Sequence, residues 1–221
     1  MPELSAVRAG PGSAPASGSA SMSRFCGRAV PAWDRLTFIE ADRRCATYHA
    51  TVDAAELRYA DCPTTEAEVV IDAAPSIVWA LVCDIQTPAE FSSEFQGGQW
   101  LEGATGPALG ATFRGRNHHE ARGSWETVST ICDFEPERVF GWAVGDPEVP
   151  AAQWRFTLEP EGSGTRIRQW MQMGPGESGI SDLIRQMPDK EHRIIRRRLA
   201  EHHANMTATL AGIKDRAEAA S

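Results

Sequence analysis

No run in the 221 residues approaches the roughly 18 consecutive apolar positions that a membrane-crossing helix needs. Integral membrane association is therefore not expected. Basic charge is also in short supply. The formal net charge is −8, against the basic footprint of a general nucleic-acid binder. Five cysteines are present, an odd number, and no two fall at a C-x-x-C spacing. That excludes the usual structural zinc pattern and a disulfide scaffold. Cys83 and Cys132 lie within apolar patterns and read as small buried hydrophobes.

Histidine pairs suited to one metal are missing too. His118 and His119 are adjacent on a strand pattern and point to opposite faces. His202 and His203 are roughly 100° apart on a helix, and no H-x-x-x-H pair occurs. Neither a metal nor a cofactor is expected. There is no G-x-S-x-G nucleophile motif and no phosphate loop. Gly162-Ser163-Gly164 leads into a strand rather than a helix and reads as a hairpin turn. Residues 1–23 are mostly Ala, Gly, Ser and Pro without the apolar core of a secretory signal, so a cytoplasmic location is expected. With 42% apolar residues, the chain as a whole is not a disordered composition.

Charge and pattern divide what is there near residue 58. Residues 1–58 carry net +1 and no sustained periodicity, and Met22 offers an alternative start. They read as a low-complexity, flexible N-terminal extension. Residues 59–221 carry net −9 and a regular pattern. A β-branched strand is predicted over 64–71. Pro75 sits where a first helical turn accepts it, and Ile77, Val78, Leu81, Val82 and Ile85 share one helix face. Thr87-Pro88 restarts a second short helix carrying Phe91 and Phe95. Strands follow over 96–106, 110–120, 124–134, 139–144, 152–158 and 165–173, separated by Gly- and Pro-rich turns. Helices close the chain, the longest marked by Ile194, Ile195, Leu199, Met206, Leu210 and Ile213. Hairpin-linked strands with helices kept to the ends imply an α+β layer. A curved antiparallel sheet of about seven strands would wrap around the long C-terminal helix and leave a cavity between them.

The stretches EAEVVIDAAPSIVWALVCDI, FSSEFQGGQWLEG, GATFRGRNHHEARGSWETVSTICDFEPERVFGWAVG and MPDKEHRIIRRRLAEHHANMTATLAGIK resemble the SRPBCC superfamily of START-like, helix-grip proteins. The likeness is to its polyketide cyclase/dehydrase-type branch, common in actinobacteria, and runs from about Leu57 to Ala219. It implies the helix-grip fold and a hydrophobic cavity. It does not imply a substrate.

Alternation assigns faces to the strands. Three ionisable groups, Arg114, Arg116 and His118, share one side of their strand, which turns Phe113 and Asn117 inward. Trp125 and Thr127 are placed inward on the next strand. Trp142, Trp154 and Phe156 follow on later strands, then Gln169, Met171 and Met173, with Trp170 facing out. Leu183 and Met187 would complete the wall from the helical side, and Phe91 and Phe95 would cover the mouth. Together these form the expected ligand-binding set. For any single apolar member, plain core packing is the competing reading.

Asn117 and Gln169 stand out, because a buried amide needs partners for both donor and acceptor. With His119 at the rim they are the candidates for catalytic duty; no catalytic residue is assigned outright. Glu90 and Glu94, one helical turn apart, form either a carboxylate pair or a solvated face. Arg193, Arg196, Arg197 and Arg198 read as the exposed side of the last helix. Tyr48 and Tyr59 both precede the first strand, so no phenol is expected in the cavity.

The expected partner is a small hydrophobic molecule, polyketide-like, aromatic or lipid-like. A cyclase or dehydratase working by substrate positioning is the alternative, and a non-catalytic protein-interaction module the second. Monomer and homodimer both remain open.

Overall fold

A computed structural model describes residues 57–221. The N-terminal extension expected over 1–58 lies almost wholly outside these residues.

The first strand, β1 (Thr64–Ile71), alternates exposed and half-buried side chains until Ile71, which is fully buried. Helix α1 (Pro75–Val82) begins on Pro75, whose missing N–H costs nothing at a first turn. Its Val78 and Val82 face the core. The second expected helix is only one 3-10 turn, Thr87–Glu90. Ser92 Oγ captures the backbone N–H groups of Glu94 and Phe95, at 3.1 and 3.0 Å, and the helical path ends there. Phe95 accordingly opens β2 (Phe95–Trp100) instead of lying on a helix. That strand stops short of the expected residue 106, because Glu102 and Gly103 take left-handed backbone conformations.

The remaining strands are β3 (Thr112–His119), β4 (Gly123–Glu135), β5 (Val139–Val144), β6 (Ala152–Glu161) and β7 (Gly164–Met173). They pair antiparallel in the order β1-β7-β6-β5-β4-β3-β2. Turn residues explain the succession. Gly162, at φ +60°, makes the tight link that sets Glu161 opposite Gly164. Trp170 faces outward, opposite Glu66. One buried-thiol expectation fails. Cys132 is exposed, because inward-facing Ile131 puts it on the outer side just where a register shift breaks the ladder to β5. Cys83 is half-buried, and burial pushes its thiol up to about 12.

Helix α2 (Gly179–Gln186) starts on a capping box, with Ser178 Oγ accepting from Ile180 and Ser181 N–H. Helix α3 (Glu191–Ala219) is 29 residues, about 44 Å long, and the sheet curves around it. Two apolar clusters flank its path. One joins Ile71, Val78, Phe113, Phe140, Phe156 and Ile167 to Leu210 and Ile213. The other joins Tyr59, Met171, Met173 and Ile180 to Ile195 and Met206. Tyr59 belongs to this second cluster. Its phenol donates to Gly176 O at 2.7 Å, tying the chain before β1 to the turn after β7.

Candidate functional site

Between sheet and α3, where the two clusters meet, lies a cavity of about 520 Å³. That size holds a drug-sized molecule. The sheet contributes an aromatic wall. Trp142 and Trp154 are opposite each other on β5 and β6, and their rings stack 6.2 Å apart. Phe113, Phe140 and Phe156 pack against Trp142 at 5.5–6.1 Å. Most of the inward set meets here: Phe95, Phe113, Asn117, Trp125, Thr127, Trp142, Trp154, Phe156, Gln169, Met171 and Met173 all line the cavity. Leu183 and Met187 do not. Met187 closes α2 with its backbone N–H on Leu183 and Ile184, which leaves that end of α2 off the wall.

Phe91 is also elsewhere. It wedges against α3 at Gly212, where an added Cβ would lie 2.3 Å from its ring, and Arg216 sits over it at 5.7 Å. His119 lines no part of the cavity; its Nδ1 accepts from Ala121 N–H and its Nε2 is 3.8 Å from Glu201. Glu90 and Glu94 do not form a pair, because the 3-10 turn ends between them. Glu90 binds Arg216 at the surface, 2.9 Å away, while Glu94 is buried.

The polar end of the cavity comes from α3. Arg198, His202, Asn205, Met206 and Thr209 line it at three- and four-residue steps. Arg198, expected on the exposed side, is only 6% exposed. Its guanidinium donates to both oxygens of Glu94 at 2.5 Å, and it reaches Glu201 at 3.3 Å. Burial lowers its pKa, but the hydrogen bond and charge of Glu94 outweigh that and hold it above the ordinary arginine value. The connection that leads from the 3-10 turn into β2 is thereby strapped along α3. Glu94, Ser93, Phe91 and Glu90 meet Arg198, Asn205, Gly212 and Arg216 in turn, running opposite to the helix.

His202 stands edge-on to Trp154, ring centroids 5.1 Å apart. Burial pushes its pKa well below 6.5, and the charges of Arg198 and Arg122 push further. The imidazole is neutral at physiological pH. The unfolded chain takes a proton near pH 6.5 that the folded chain refuses, so the stability contribution is complete above that pH. It falls away as the medium is acidified. The expected slope is about 1.4 kcal/mol per pH unit below about pH 6.5. Urea unfolding across this range should show it, and His202→Gln should flatten it; a slope unchanged in that variant would assign the limb to other groups.

Two amides of the cavity wall lack side-chain partners among the described residues. Gln169 is 5% exposed, and its Oε1 is buried with nothing donating to it. Asn117, opposite Trp125 and Phe95, makes no side-chain hydrogen bond among the described residues. Among the described residues, no three His, Cys, Asp or Glu side chains are grouped as metal ligands, and no helix is long and apolar enough to cross a membrane.

An antiparallel sheet gripping one long helix over an aromatic-lined cavity defines the helix-grip class of the SRPBCC superfamily. Within it, the chain belongs to the family described as polyketide cyclase / dehydrase and lipid transport, which matches residues 63–218. It is similar to the Polyketide_cyc-like protein Cgl2372 from Corynebacterium glutamicum, at 34% identity over 68% of this chain and 88% of that one, TM-score 0.49. The aromatase/cyclase ZhuI from Streptomyces sp. R1128 shares the fold at 18% identity and TM-score 0.50, over 71% of this chain and 93% of that one. The di-domain ARO/CYC StfQ from the steffimycin biosynthetic pathway does so at 14% identity and TM-score 0.55. There 83% of this chain matches 61% of that one. No curated protein matches the chain.

Proposed function

We propose that the protein binds a small, mostly apolar molecule, polyketide-like, aromatic or lipid-like, in the cavity between sheet and α3. The observation that carries this reading is the unpartnered Gln169 acceptor within an aromatic and methionine wall. An unmet buried acceptor costs about 1–3 kcal/mol, which a guest offering a donor would recover. A volume of about 520 Å³ leaves room for that guest.

The full chain titrated with neutral N-phenylnaphthylamine should show saturable, one-to-one fluorescence enhancement. Met171→Trp places extra volume in the wall and should weaken binding at least about tenfold. Asn117→Leu, similar in size but without the amide, should weaken it less. Near-ultraviolet circular dichroism confirms that each variant is folded. Non-saturable binding, or affinity untouched by both changes, would count against the reading.

A cyclase or dehydratase is the second reading, and one observation favours it. His202 is an unprotonated imidazole at the cavity wall, the form a general base needs for taking a proton transiently from the α-carbon of a β-hydroxyacyl chain held there. If so, a short β-hydroxyacyl thioester should lose its α-proton and β-hydroxyl as water, giving the enoyl thioester, in the presence of the protein but not of His202→Gln, as read by mass spectrometry.

A further inference from the structure

Each charged side chain in the cavity wall has a polar partner among the described residues, with one exception. Glu94 and Glu201 are both committed to Arg198. Glu126 faces Arg114 at 3.4 Å, and Glu177 is held by Arg185 at 2.8 Å. Asp84 accepts the backbone N–H of Gln86. Arg122 lines the cavity from the β3–β4 turn, and among the described residues its side chain forms no ion pair and no hydrogen bond. Its guanidinium lies 5.9 Å from the ring centre of Trp125. Loss of water on that side lowers its pKa and the like charges of Arg198 and Arg197 lower it further, while the carboxylates of Glu94 and Glu201, already held by Arg198, offset this in part. An unpaired cation that also feels a second cation gains from any anion placed beside it.

The surroundings of Arg122 say what else that anion carries. Trp125 is directly opposite Asn117 across β3 and β4, and Asn117 has a free amide. Trp142 and Trp154 continue the aromatic wall inward. A planar guanidinium resting on an indole, next to an amide and in front of stacked rings, offers a carboxylate or sulfonate bidentate hydrogen bonds at the rim. The attached body would have to be apolar to enter.

We propose that the molecule this cavity takes is an organic anion, an apolar or aromatic body whose acid group is held at the rim by Arg122. The proposal rests on the ligand-binding reading above and narrows it from any apolar guest to amphipathic acids. Arg122 supplies the charge, Asn117 a second polar contact, and the tryptophan wall the shape.

Two probes with the same ring skeleton test it: anilinonaphthalene sulfonate, which is anionic, and N-phenylnaphthylamine, which is neutral. On the full chain, the sulfonate should bind about tenfold more tightly than the neutral probe, as a partly desolvated charge-assisted contact would give. Arg122→Gln should remove that preference, the ratio of the two affinities falling to about one. Arg122→Lys should keep part of it, because the charge survives without the fork. Added salt should weaken the sulfonate selectively. If the neutral probe binds and the sulfonate shows no advantage, or the advantage survives in Arg122→Gln, the anion proposal falls and the ligand-binding reading stands. If neither probe binds, both fall.

Discussion

Arg198→Ala is expected to destabilise the protein by about 3–5 kcal/mol in equilibrium urea unfolding, the range for removing one partner of a buried ion pair. The cost comes from what is left behind. Glu94 is 9% exposed, and its carboxylate receives two guanidinium hydrogen bonds from Arg198. Without them a charge is enclosed with no neutralising partner. Glu94→Gln alone should cost less, because an amide oxygen still accepts while the amide nitrogen faces the guanidinium. Replacing both together, Arg198→Met with Glu94→Leu, should recover most of the stability, since apolar residues of similar volume need no desolvation compensation. A cost below about 1 kcal/mol for Arg198→Ala would place the pair among solvated surface bridges and remove the strap from the energetics of the fold. The same variant should also weaken probe binding, because Glu94 and Arg198 both form part of the cavity wall.

That arginine also shows how far the sequence could be read. The strands were legible because turn formers cut them to length, as with Gly162 between β6 and β7. The inward direction of Asn117 followed from the three ionisable groups on the alternate positions of β3. Arg198 was hidden by its neighbours. Within a run of arginines the natural reading is a solvated face, and Arg193, Arg196 and Arg197 gave no reason to single out the fourth. A usable signal existed in the helical period. Ile195, Met206 and Ile213 are buried, and positions 198, 202 and 209 fall on the same stripe between them. Polar residues on a buried stripe are candidates for a site, and here they form the polar end of the cavity. Glu94 had no comparable signal. Its partner lies 104 positions away, and nothing local distinguishes a buried carboxylate in a loop from an exposed one. Phe91 failed for the same reason: that its ring meets Gly212 is a fact of tertiary packing, which no spacing within 87–95 contains.

The contact between Phe91 and Gly212 leads to the second large effect, one in which helix propensity and packing disagree in sign. Gly212 lies inside α3, where alanine is ordinarily better by about 1 kcal/mol. A Cβ there would approach Phe91 Cδ1 and Cε1 to 2.3 Å, far inside van der Waals contact. Gly212→Ala should therefore destabilise the protein, by about 1–3 kcal/mol, as overpacking does. Removing the obstacle reverses the outcome. In a Phe91→Ala background the same Gly212→Ala change should stabilise, by roughly the propensity difference of about 1 kcal/mol. The cycle thus predicts a change of sign and not merely of size, which urea unfolding of four proteins can read directly. A stabilising Gly212→Ala in the parent would mean that Phe91 moves aside freely. Binding supplies a second readout. Pro88, Ser92, Glu94 and Phe95 are part of the cavity wall and continuous with Phe91, so a ring forced off α3 carries the wall with it. Gly212→Ala should then loosen the neutral probe while Phe91→Ala, with the obstacle absent, restores it in the double variant. Stability and affinity moving together through all four proteins would tie the strap along α3 to the shape of the cavity it borders.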